Sequence, residues 1–132
     1  MSDQLRHSHL TDQIIKAFYK VYNRLGYGFL EKVYENALAL ELQAEGLSVK
    51  QQPPVKVYYG QQAVGEYYAD LVVEDRVILE LKSAEALYQS HEAQLLNYLK
   101  ATQIEIGLLL NFGPRPEFRR KLFTNDKKIA HG

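Results

Sequence analysis

Residues 67–85 read YYADLVVEDRVILELKSAE, and this stretch decides the fold. Two apolar runs flank a short charged turn, which predicts a β-hairpin. The odd-numbered positions are all apolar: Ala69, Leu71, Val73, Val77, Leu79 and Leu81. The ionisable side chains fall on even-numbered positions, where Asp70, Glu80 and Lys82 accompany Val72 and Ile78. Since alternate residues of a strand share one face, the hairpin has one apolar face and one face that carries charge.

The register of this hairpin decides whether the two acids meet. A two-residue turn at residues 75–76 would place Asp70 and Glu80 on opposite faces. A three-residue turn over residues 74–76 pairs Val73 with Val77, and therefore Asp70 with Glu80. Burial favours the second register, because a slip of one residue would turn a whole apolar set to the wrong side. A five-residue turn with the same pairing is equally compatible.

The predicted pair of neighbouring carboxylates has two interpretations. Opposed carboxylates repel each other, and proteins tolerate them when a cation lies between them or one acid stays protonated. An oxygen-rich cluster of this kind suits Mg²⁺ or Mn²⁺. The alternative is structural: Lys82 neutralises Glu80 on a solvated face, or the strand charges form ion pairs within a homodimer. The alternation alone favours this structural interpretation.

The rest of the chain supplies helices around this hairpin. Helical spacing over residues 11–25 and 29–45 precedes strand-like segments at 47–52, 55–60, 63–74 and 76–82. A helix at 90–102 and a buried strand at 104–113 follow. The order ααββββαβ predicts an α/β or α+β fold, a mixed central β-sheet flanked by helices. Residues 113–132 are weakly patterned, with a short strand or helix expected around 119–123.

Composition limits the classes of function. The 132 residues suit one domain, 1–132, and contain no cysteine, which excludes thiolate metal sites and cysteine nucleophiles. The chain has no apolar run that could span a membrane, and we expect a cytoplasmic protein. The formal net charge is zero, so any contact with nucleic acid needs a local basic patch. The candidate is the tail at 113–132, either a mobile end that follows a phosphate backbone or a solubilising terminus, with Arg115, Arg119, Arg120 and Lys121.

Asp70 followed by Glu80-Leu81-Lys82 resembles the PD-(D/E)xK nuclease superfamily, although Ala69 stands where the superfamily name has proline. The segment GFLEKVY at residues 28–34 resembles the signature of the GxxExxY family, small bacterial and archaeal proteins placed in that superfamily. Its matching residues are Gly28, Glu31 and Tyr34. Gln94 and Tyr98 resemble the Q-x-x-x-Y motif of RecB-like nucleases. The likeness extends from about residue 10 to residue 112.

The resemblance implies a restriction-endonuclease-like core and a nuclease that hydrolyses phosphodiester bonds of DNA or RNA with metal-activated water. Asp70, Glu80 and the Leu81 carbonyl would hold Mg²⁺ or Mn²⁺, with Glu31 as a further ligand or an orienting acid. Lys82 and Gln94 would act beside the metal, and Tyr98 would contact nucleic acid. The alternative is a catalytically silent protein with the same fold that binds nucleic acid or another protein.

Overall fold

The computed structural model describes residues 7–128. Two helices, five strands, a third helix and two further strands follow one another within this range. They are α1 (Ser8–Leu25), α2 (Glu31–Ala44), β1 (Val49–Gln51), β2 (Pro54–Tyr59), β3 (Gln62–Tyr68), β4 (Leu71–Val73), β5 (Val77–Lys82), α3 (Gln89–Lys100), β6 (Ile106–Phe112) and β7 (Pro116–Leu122). A 3-10 turn at Asn125–Lys127 follows β7. The two ends of the predicted domain, 1–6 and 129–132, lie outside the described residues.

Five strands form one mixed sheet in the order β1-β4-β5-β6-β7. Strands β5 and β6 are parallel, as their connection through α3 requires, and the other neighbouring pairs are antiparallel. Strand β6 is buried along its whole length between β5 and β7, which agrees with its continuous apolar sequence. Strands β2 and β3 form a separate two-stranded hairpin. The mixed sheet flanked by helices confirms the fold class.

Two apolar cores cover the two faces of the sheet. On one face, α1 and α2 pack against the odd-numbered residues of β4 and β5, and Phe112 lies between Phe18 and Tyr34. On the other face, α3 packs against even-numbered residues such as Val72 and Ile78. Both faces are therefore buried, which explains why apolar residues also occupy the face that carries Asp70 and Glu80.

The predicted register of the β4–β5 hairpin is confirmed. Val73 pairs with Val77 and Leu71 with Leu79, so a three-residue turn connects the strands. Glu74 and Asp75 adopt left-handed backbone angles in this turn, with φ of 55° and 53°. The same register, extended by one pair, places Asp70 opposite Glu80.

One predicted strand was wrong in its extent. Residues 63–74 were expected to form a single strand, but the chain leaves the β2–β3 hairpin after Tyr68 and enters the main sheet at Leu71. The partners break at the same place, because Pro53 separates β1, which pairs with β4, from β2, which pairs with β3. Gln52, just before Pro53, has a left-handed φ of 54°, which ends the extended backbone of β1 before β2 begins.

The strand or helix expected around residues 119–123 of the tail is a strand, and it is longer than expected, because residues 116–122 form a regular edge strand. β7 runs antiparallel to β6 over seven residues. Its sequence PEFRRKL does not show the apolar–polar alternation of a strand. On the side that packs against the core, only Phe118 and Leu122 are large and apolar. Long arginine and lysine stems cover the remaining positions of such a half-buried strand.

Asn111 is the polar side chain that fixes the chain just beyond β5. It is buried, and its amide donates to the Ala84 carbonyl at 3.0 Å and accepts from the Ala84 N–H at 2.9 Å. Asn111→Leu leaves both backbone groups without these partners, and we expect the free energy of unfolding to fall by about 2–4 kcal/mol. Urea unfolding measures the change, with Asn23→Leu, at an exposed site on α1, as the control. Equal stability of the two variants would contradict this role.

Candidate active site

Asp70 and Glu80 lie side by side at the end of the β4–β5 hairpin. The Asp70 N–H donates to Glu80 Oε1 at 3.2 Å, and the Leu81 N–H donates to Asp70 Oδ2 at 2.8 Å. Each carboxylate therefore accepts a hydrogen bond from the backbone of the neighbouring segment. These bonds hold the two acids in one orientation, as a ligand or catalytic pair requires.

Burial makes ionisation of both members of the acid pair unfavourable. Glu80 is 4% exposed, and its burial together with the neighbouring Asp70 raises the pKa of its carboxyl to about 8. Burial also raises the pKa of Asp70, against the opposing effects of the Leu81 N–H and the Gln52 amide. At neutral pH and without a bound cation, Glu80 is therefore mostly protonated. A site of this kind gains stability from a cation.

Lys82 is the charged group beside the pair, and its ammonium favours the ionised form of both acids, lowering each pKa. Its Nζ donates to Gln94 Oε1 at 3.3 Å, and Gln94 Nε2 donates to the Tyr98 hydroxyl at 3.2 Å. Burial, followed by the charge of Glu80, raises the pKa of Tyr98. Four of the predicted site residues, Glu80, Lys82, Gln94 and Tyr98, thus form one continuous group across β5 and α3.

Glu35 is a site acid that the sequence reasoning missed. It is 3% exposed, and its carboxylate accepts from Gln52 Nε2 at 2.6 Å and from Gln51 Nε2 at 2.9 Å. Lys32 pairs with it at 2.8 Å. Gln52 Nε2 also lies 3.3 Å from Asp70 Oδ1, so one amide connects Glu35 to the acid pair. The negative charge of Glu35 is one of the effects that raise the pKa of Asp70.

The structure places the acid of the GFLEKVY segment outside this network. Glu31 is exposed in the first turn of α2, one turn before Glu35, and within residues 7–128 no hydrogen bond or ion pair links it to the acid pair. The other two signature residues shape the entry to α2. Gly28 has a φ of 118°, which favours glycine, and the Tyr34 hydroxyl donates to the Gly26 carbonyl at 2.5 Å while accepting from the Phe29 N–H at 3.1 Å.

The comparison with family models decides the classification. A model described as the PD-(D/E)XK nuclease superfamily matches residues 8–121. This chain belongs to the PD-(D/E)XK nuclease superfamily. A solved structure entitled "Crystal structure of SSO0001" is similar in fold, with a TM-score of 0.59 and 15% sequence identity. The similarity covers 91% of this chain but 61% of that one, so the chain spans about three fifths of that protein's length.

None of the curated proteins matches this sequence. Within residues 7–128, no helix is long and apolar enough to cross a membrane.

Nucleases of the PD-(D/E)XK superfamily generally use divalent metal ions. In the described part of the chain, no group of three or more His, Cys, Asp or Glu side chains is arranged to hold a metal. The donor chemistry nevertheless fits a hard cation, since Mg²⁺ is held in proteins by one or two carboxylates, with waters and substrate phosphates completing its shell. Asp70 and Glu80 are such a pair. The Leu81 carbonyl as a third ligand stays a prediction.

The basic residues predicted to contact nucleic acid do not form one surface. Arg115 is exposed in the β6–β7 turn, and Arg120 lies on the side of β7 that faces α1. Arg119 and Lys121 lie on the opposite side, where they pair with Glu117 and Glu92 respectively. Alternation along β7 therefore separates residues that are neighbours in sequence.

Proposed function

We propose that this protein is a divalent-metal-dependent nuclease that hydrolyses phosphodiester bonds of DNA or RNA, and that it belongs to the GxxExxY group of its superfamily. The observation that carries the proposal is the Asp70–Glu80 pair, in which Glu80 is buried, with Lys82 beside it. A fold needs no such pair for stability, because two poorly compensated carboxylates destabilise the protein that holds them. The proposal includes the cytoplasm as its location and a homodimer as its assembly.

The acid pair would hold the metal. Asp70 and Glu80 supply carboxylate oxygens and the Leu81 carbonyl a further oxygen, with Mg²⁺ or Mn²⁺ as the ion. A bound divalent ion supplies a Lewis acid and lowers the pKa of a coordinated water. Gln52, which Glu35 holds in place, would orient Asp70. Glu31, in the first turn of α2, would be a further ligand or an orienting acid.

Lys82 and the α3 residues would act on the substrate. The ammonium of Lys82 stabilises the extra negative charge that a phosphate acquires in the transition state. Gln94 holds that ammonium in place and offers its amide to a phosphate oxygen. Tyr98, hydrogen-bonded to Gln94, borders the site and contacts the nucleotide. Each of these roles requires the contacts between β5 and α3.

Lys82→Met tests this assignment of charge. It keeps the length of the aliphatic stem and removes the cation, and we expect kcat for an oligonucleotide to fall about 100-fold. Lys82→Arg, which keeps the charge, should retain more activity. The control is Lys50→Met, which removes an exposed ion pair with Asp75 at the other end of the hairpin. Cleavage by Lys82→Met at the rate of the wild type would contradict the role.

A catalytically silent protein is the second candidate function. One observation favours it. Glu35, the acid of α2 that Gln52 connects to the acid pair, already accepts from Lys32, Gln51 and Gln52, so its charge is compensated without a metal. A protein of this kind binds nucleic acid or protein equally well in the presence of a chelator. It cuts no oligonucleotide with Mg²⁺ or Mn²⁺, and Glu80→Gln leaves its binding unchanged.

A further inference from the structure

A groove separates the β2–β3 hairpin from α3 and ends at the candidate active site. Its volume is about 1020 Å³. One wall is the hairpin, with Tyr58, Tyr59 and Tyr67, and the other is α3, with Gln94, Asn97 and Tyr98. The hairpin contributes little to the cores, since Val55 is its buried core residue. Its aromatic side chains thus face a space rather than a packed interior.

Two contacts connect the groove to the acid pair. The rings of Tyr67 and Tyr98 approach with centroids 6.1 Å apart, so an aromatic wall crosses from the hairpin to α3. Gln94 lines the groove and also accepts from Lys82 at 3.3 Å. A chain molecule that lies along the groove therefore comes close to Lys82, which lies beside the acid pair.

The charges that border the groove have one sign. Lys100, Lys127 and Lys128 line its far end, and among the described residues that line it none is acidic. Lys100 lies 5.6 Å above the ring of Phe123, and Lys128 donates to the carbonyls of Thr102 and Ile104. In a protein with a formal net charge of zero, this bordering charge suits a polyanion.

We propose that this groove binds single-stranded nucleic acid, with bases stacked on Tyr67 and Tyr58 and the backbone near Lys100 and Lys127. Exposed tyrosine rings offer π-faces that accept every base, and lysines follow the phosphates. A duplex cannot use these rings, because its bases already stack on one another. This proposal rests on the proposed nuclease function, because it assumes that the bound strand leads toward the acid pair Asp70 and Glu80.

Fluorescence anisotropy with an excess of chelator tests the groove without any cleavage. The probes are fluorescein-labelled single strands of about 12 nucleotides, as DNA and as RNA, and a DNA hairpin duplex of the same sequence. We expect Tyr67→Ala to raise the Kd for the single strands about tenfold or more, because one stacking ring is lost. Tyr67→Phe keeps the ring and should bind as the wild type does.

Tyr68→Ala is the matched control. Tyr68 follows Tyr67 in β3, is 53% exposed against 54% for Tyr67, and lies on the opposite face of the hairpin, outside the groove. An unchanged Kd for Tyr68→Ala with a raised one for Tyr67→Ala supports the proposal. An unchanged Kd for Tyr67→Ala, an equal affinity for the duplex, or no binding of any probe overturns it.

The same variants separate this proposal from the proposed function. Binding that depends on Tyr67, in a protein that cuts nothing with Mg²⁺ or Mn²⁺, supports the groove and contradicts the nuclease. Metal-dependent cleavage of a single strand that Tyr67→Ala does not affect supports the nuclease and overturns the groove. Cleavage with a raised KM in Tyr67→Ala and an unchanged KM in Tyr68→Ala supports both.

Discussion

Asp70→Asn is expected to reduce metal-dependent cleavage of oligonucleotides about 1000-fold, the largest effect of any single substitution proposed for this protein. Asparagine keeps the volume of the side chain and an oxygen that accepts from the Leu81 N–H. It removes the negative charge and one oxygen ligand. Single-turnover cleavage of a labelled strand with Mg²⁺ or Mn²⁺ measures the loss.

Asp75→Asn is the matched control for this substitution. Asp75 is an exposed acid in the turn of the same hairpin, where it pairs with Lys50 at 2.7 Å. Its loss should leave the cleavage rate unchanged. An Asp70→Asn protein that cuts as fast as the wild type would remove the acid pair from the mechanism, whatever the other substitutions do.

Glu80→Gln is expected to stabilise the folded protein in the presence of a chelator. The pKa of Glu80 is raised from 4.5 to about 8, so ionisation of this group opposes folding. The contribution of the protonated Glu80 carboxyl to stability is fully present below pH 4.5 and is lost as the pH rises through about 8, because the carboxyl loses its proton at lower pH in the unfolded chain than in the folded protein. Glutamine cannot ionise, so the free energy of unfolding of the variant should be higher than that of the wild type by about 4 kcal/mol at pH 8 and above.

Urea unfolding of both proteins from pH 5 to pH 9 measures this difference. Glu66→Gln, at an exposed position of β3 where the acid accepts from Tyr68, serves as the control and should show no such trend. A constant difference between Glu80→Gln and the wild type across this range would mean that Glu80 is not perturbed. The expected gain in stability with a loss of cleavage is the usual relation for a buried acid kept for function.

The β4–β5 hairpin could be predicted from sequence because residues close together in the chain determine its pairing. Alternation with a period of two left one register that kept six apolar residues together, and that register placed Asp70 opposite Glu80. Helix α3 was found for a similar reason, since Gln94 and Tyr98 are one turn apart and lie on one face. A pattern of this kind needs no knowledge of distant contacts.

Glu35 was missed because α2 is apolar on more than one side. The apolar side chains at the start of α2 are not the buried ones, since Leu30 is 80% exposed and Val33 is 39% exposed. The buried stripe instead contains Tyr34, Glu35, Leu38, Ala39 and Leu42. An acid at i with apolar residues at i+3, i+4 and i+7 was the available signal. The role of Gln52 had no signal, because a loop residue acquires its partners from the tertiary fold.

The most direct test of the acid pair is calorimetric titration of Mn²⁺ and Mg²⁺ at pH 7, in two buffers with different enthalpies of ionisation. Binding of the metal to the wild type should be saturable. It should release about one proton, because Glu80 is mostly protonated without a cation. The double variant Asp70→Asn/Glu80→Gln should bind nothing. Absence of saturable binding by the wild type, with and without a short oligonucleotide, would contradict a metal site at this pair.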